Sequence, residues 1–123
     1  MLNRDQILNR QAGRFETVTV PEWGGDVRLK ALCVRDKAVI DTEMMRVGKL
    51  MRTQDLDAVS ANHNLQLTLV ALSVVDESGD AMFTLDDVPE LSKLEPQAIR
   101  DLSDAVCILN GFATKAVEDA AKN

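Results

Sequence analysis

The segment from Gln54 to Val75 constrains this chain more than any other. Leu56, Val59, His63, Leu67, Val70 and Val74 recur at helical spacing and form one stripe; Leu65, Leu69 and Leu72 form a second. A helix with one apolar stripe lies on a surface, whereas a helix with two must be contacted from two sides. The spacing therefore predicts a central helix, packed by several elements or by another subunit. "DESGD", Asp76 to Asp80, ends it with a turn. The 123 residues suffice for one domain, 1–123, with one core built around that helix.

The flanking segments supply its partners. "RDQILNRQ" reads as a short N-terminal helix. "FETVTV" (Phe15 to Val20) and "VRLKALCV" (Val27 to Val34) alternate as strands of a hairpin spanning about 15–34. Pairing Val20 with Leu29 and Val18 with Ala31 unites their apolar faces. A two-residue Gly24-Gly25 turn would place Pro21 at a hydrogen-bonded site, and proline has no N–H to give. A four-residue loop, Trp23 to Asp26, avoids this and is preferred. Asp36 to Thr53 reads as a helix on the stripe Val39, Ile40, Met44, Val47 and Met51. Thr84 with Asp87 resembles a helix N-cap, and Pro89 keeps the helix that follows short. Glu95-Pro96 opens a further helix with the stripe Ile99, Leu102, Val106 and Leu109, closed by Asn110-Gly111. Thr114 starts a last, Ala-rich helix. The fold class is α+β, mainly α: an N-terminal β-hairpin followed by a bundle of four to five helices over about 36–121.

Composition narrows the function classes. Aromatic residues are only 3% of the chain, so Leu, Val, Ala and Met must build the core. The net charge is −6 with no basic cluster, which argues against nucleic acid and against an anionic membrane surface. No apolar run approaches a membrane span, and "MLNRDQILNRQ" is too polar for a signal peptide. Cys33 and Cys107 read as buried, reduced thiols. His63, the only histidine, reads as a buried, hydrogen-bonded member of its stripe. No metal site or cofactor is expected, for no His/Cys cluster exists. "DESGDAMFTLDD" fails as a calcium loop: its glycine is fourth, and its twelfth residue is Asp87 rather than glutamate. No phosphate-binding glycine loop exists. Only an unsupported pairing of Cys33 or Cys107 with His63 would offer a nucleophile, so no catalytic residue is assigned and no enzyme is expected.

Surface for partners remains. Met44, Met45 and Met51 gather on one helix, where methionine serves either core or an adaptable contact face. Trp23, followed by Gly24 and Gly25, lies off the hairpin's apolar face. It docks either on the chain's own helices or on a partner, and tryptophan is enriched at binding hot spots.

"TVTVPEWGGDVRLKAL" resembles the opening of the tail assembly chaperones of long-tailed, siphovirus-type bacteriophages. "LVALSVVDESGDAMFTLDDVPEL" is similar to that family's second stretch, and "CILNGF" to its third. The three span Thr17 to Lys122 in family order. Pro89, and the Asp36 to Thr53 helix without a family motif, depart from the pattern. The resemblance implies a non-enzymatic, oligomeric late protein of the host cytoplasm, absent from the mature virion. Its implied partners are the tape measure protein, which it would coat, and the tail tube protein, which it would recruit. It also implies a longer form made by ribosomal frameshifting, with which Lys122-Asn123, encodable as AAA AAC, is compatible. The alternative is a structural virion protein of the tail or head-joining region.

Overall fold

The computed structural model of the chain describes residues 1–10 and 14–112. The helix expected from Thr114 lies outside them. In chain order the elements are α1 (Arg4–Leu8), β1 (Phe15–Val20), a 3-10 turn (Pro21–Trp23), β2 (Gly25–Lys30), α2 (Val34–Arg52) and α3 (Asp57–Ser73). There follow β3 (Val74–Val75), a second 3-10 turn (Leu85–Asp87), α4 (Val88–Leu91) and α5 (Pro96–Asn110). The class is α+β, mainly α, as expected, although the hairpin is extended to a three-stranded antiparallel sheet in the order β1-β2-β3.

The hairpin register differs from the expected one. Val20 faces Gly25, Val18 faces Val27 and Glu16 faces Leu29. The loop does contain four residues, but they are Pro21 to Gly24 rather than Trp23 to Asp26. Pro21 enters a 3-10 turn, where its fixed φ fits and no N–H is needed. Gly24 closes that turn in the left-handed region, φ 67°, with its N–H donated to the Pro21 carbonyl at 3.1 Å. The slip is an even number of residues, so the apolar face survives it: Val20 and Leu29 are both fully buried.

The central helix is also shorter than its apolar pattern. It stops at Ser73, and Val74 and Val75 leave it to pair with Leu29 and Arg28. Two adjacent β-branched residues suit a strand better than a helix end, and both are buried there. Asp76 then makes the expected turn: its carboxylate accepts from the N–H groups of Ser78 and Asp80 at 2.8 and 3.0 Å. Gly79 takes φ 87°, with a Phe15 ring carbon 3.4 Å from where a Cβ would lie. The Thr84 cap forms as a reciprocal box with Asp87, and Pro89 sits in the first turn of α4.

α3 is central. It packs on α2 along one side and on α5 and α4 along another, as its two stripes require. From α5, Ile99, Leu102, Val106 and Leu109 all enter the core, beside Val70 and Leu29. Buried hydroxyls are satisfied locally or across elements: Ser73 Oγ donates to the Lys30 carbonyl at 2.9 Å. Asn110 ties the end of α5 to the segment after β2, accepting from Leu32 N–H at 2.7 Å and donating to the Val106 carbonyl at 2.8 Å.

Candidate partner-binding surface

The tip of the hairpin positions Trp23. The 3-10 turn directs the indole toward the start of α5, where Nε1–H donates to Glu95 Oε2 at 2.6 Å. Trp23 as a whole remains 37% exposed and lines a cavity of about 770 Å3 together with Val27, Val70 and Leu91. One edge of Trp23 thus docks on the chain's own body, the first of the two alternatives left open by the sequence. The side chain also lines the cavity. Gly24 and Gly25 are exposed beside it, with open space where a Cβ would stand.

The three methionines lie elsewhere. Met44, Met45 and Met51 are exposed on α2, and none of them lines the Trp23 cavity. Met44 and Met51 share the stripe of Ile40 and Val47, which are buried, whereas Met45 points away from it. Met44 is thus a partly open position between two covered ones, and Met51 carries the stripe beyond Val47. The candidate residues form two surfaces rather than one.

α3 shows the same pattern from its other side. Leu67, Val70 and Val74 of its first stripe are buried, but Leu56 is 90% exposed and Val59 is 64% exposed. His63, expected to be buried on this stripe, is exposed as well. The stripe emerges from the body at His63. There it borders a second cavity, of about 640 Å3, between α3 and the α4–α5 junction, lined also by Leu94 and Arg100. Sequence reasoning missed Leu56 and Val59 as surface residues because helical periodicity reports which side of a helix is apolar, not how far its partner reaches. It missed Glu95 too, and no local signal joins Trp23 to a residue so distant in sequence.

The cysteines correct another expectation. Cys33 is exposed rather than buried, because it precedes the first turn of α2. Cys107 is partly buried. Burial, and secondarily the Asp104 carboxylate nearby, push its thiol pKa up, which makes it a poor nucleophile. His63 lies on the cavity between α3 and α5, whereas neither cysteine lines it. No helix among the described residues is long and apolar enough to cross a membrane.

These elements define a class by architecture: a small three-stranded sheet closing one end of a helical body, with a helical hairpin carrying exposed apolar stripes. The fold is similar to that of the tail assembly chaperone of bacteriophage HK97, with a TM-score of 0.51 and 21% identity, over 84% of this chain and 88% of that one. No protein-family model matches the chain, and no curated protein does.

Proposed function

We propose that this protein is a phage tail assembly chaperone, a non-enzymatic binder that holds the tape measure protein and helps recruit tail tube subunits. The observation that carries the reading is the pair of apolar stripes that run off the covered part of the α2–α3 hairpin. Met51, Leu56 and Val59 are exposed there beyond the buried parts of their stripes, and Met44 is exposed between buried Ile40 and Val47. Such a face suits the apolar side of an amphipathic client helix, and methionine lets it adapt to many registers of a long client. The likeness in fold to the HK97 chaperone supports the same reading. The protein would act in the host cytoplasm as an oligomer, be left out of the finished virion, and have a longer frameshifted form.

Co-expression with the tape measure protein of the same phage tests this. A stable complex, with mass measurement giving several copies of this chain per client, is expected. Abundant chain in purified mature particles would instead identify a structural virion component.

A further inference from the structure

β1 flanks β2 along its whole length, but on the other side β3 covers only Arg28 and Leu29. The phase of the ladder shows which groups are left over. Ala31 N–H donates to the Arg14 carbonyl at 2.8 Å, so Leu29, Val27 and Gly25 bond toward β1. Lys30, Arg28 and Asp26 therefore turn their backbone groups to the opposite edge. There the Lys30 carbonyl accepts from Ser73 Oγ, and Arg28 pairs with Val75. A longer β3 would set Glu77 beside Asp26, but the chain turns away at Asp76. Among the described residues, the outward N–H and C=O of Asp26 have no protein partner.

The place that a continued β3 would fill is the cavity of about 770 Å3 at Trp23. Val27, Val70, Val74 and Leu91 give it an apolar wall. Its polar rim is acidic, with Asp26, Asp76 and Glu77. The one cation of the rim, Arg28, is already committed: its Nη1 donates to the Glu77 carbonyl at 2.8 Å, and its guanidinium lies 4.1 Å from the Phe15 ring centroid. An open strand edge, an apolar wall and a negative rim all complement one kind of ligand.

We propose that this slot is a strand-addition site for an extended segment of a partner protein, apolar at its centre and flanked by Lys or Arg. Its main chain pairs with Asp26, the apolar side chains of its inward face meet the Val70–Leu91 wall, and its cations meet the rim carboxylates. The site rests on the β2 edge and not on the chaperone reading, so failure of tape measure binding would leave it standing.

The full-length chain can be titrated with the capped peptide Lys-Val-Thr-Val-Lys, following emission of Trp23, the only tryptophan, and hydrogen exchange of the Asp26 amide. Binding should perturb Trp23 and slow exchange at Asp26. The acidic counterpart Glu-Val-Thr-Val-Glu should bind about tenfold more weakly, and N-methylation of the peptide amides that face β2 should abolish the response. Asp26→Pro removes the outward N–H without breaking a backbone bond to β1, because Thr19 and Asp26 are a non-hydrogen-bonded pair. It should abolish the Trp23 response to the basic peptide. Asp26→Ala, which loses only the carboxylate that accepts from Thr19 Oγ1 at 2.8 Å, is the control and should keep a response. No response to millimolar basic peptide, or an equal one to the acidic or N-methylated peptide, would overturn the proposal. So would protection of the Asp26 amide that grows with protein concentration alone, which would mean that a second copy covers the edge.

Discussion

Glycines and cysteines separate the demands of the backbone from those of space. Gly24 and Gly25 both have room for a Cβ, but only Gly24 has a positive φ. Gly24→Ala should therefore lower stability by about 1 kcal/mol, and Gly25→Ala should cost clearly less; thermal or urea unfolding of the two variants checks this. The thiols differ in the same legible way. Cys33 is exposed, and the thiol of Cys107 is raised by burial and Asp104. Alkylation near neutral pH, read by peptide mass spectrometry, should label Cys33 first. A raised thiol pKa means a smaller thiolate fraction at any pH below it, so labelling of Cys107 should accelerate as pH rises above the ordinary thiol range. Trp23 owes its position to a turn and to one bond with Glu95. Trp23→Phe, which keeps an apolar ring but loses the donor, should cost about 0.5–1.5 kcal/mol in unfolding experiments.

Most elements were legible because they are specified locally. The Thr84–Asp87 box, Pro96 at the start of α5 and Gly111 at its end act within one helical turn. Thr84→Ala should cost about 1 kcal/mol, measurable as a fall in unfolding midpoint. Strand β1 and the stripes of α2, α3 and α5 followed from periodicity alone. What failed was decided by features that periodicity does not carry. The expected hairpin register joined the right faces through the wrong partners, because alternation has period two and is blind to an even slip. The 3-10 turn at Pro21 settled the register. Val74 and Val75 continued a helical stripe on paper, but the open edge of β2 drew them into a strand. Burial of His63, Leu56 and Val59 failed because periodicity carries no information about the extent of the neighbouring body.

On the scale of the whole molecule, core and surface divide along the length of the same helices. Leu102 is fully buried where α5 meets α3, and Leu102→Ala should destabilise by about 2–5 kcal/mol. The exposed members of the α2 and α3 stripes should behave in the opposite way, carrying client binding rather than stability. The most direct measurement is tape measure capture by a quadruple variant, Met44→Ser, Met51→Ser, Leu56→Ser and Val59→Ser, co-expressed with that client and compared with the unmodified chain. The predicted result is loss of the complex with an unfolding midpoint close to that of the unmodified chain. Undiminished capture by the folded variant would contradict the account.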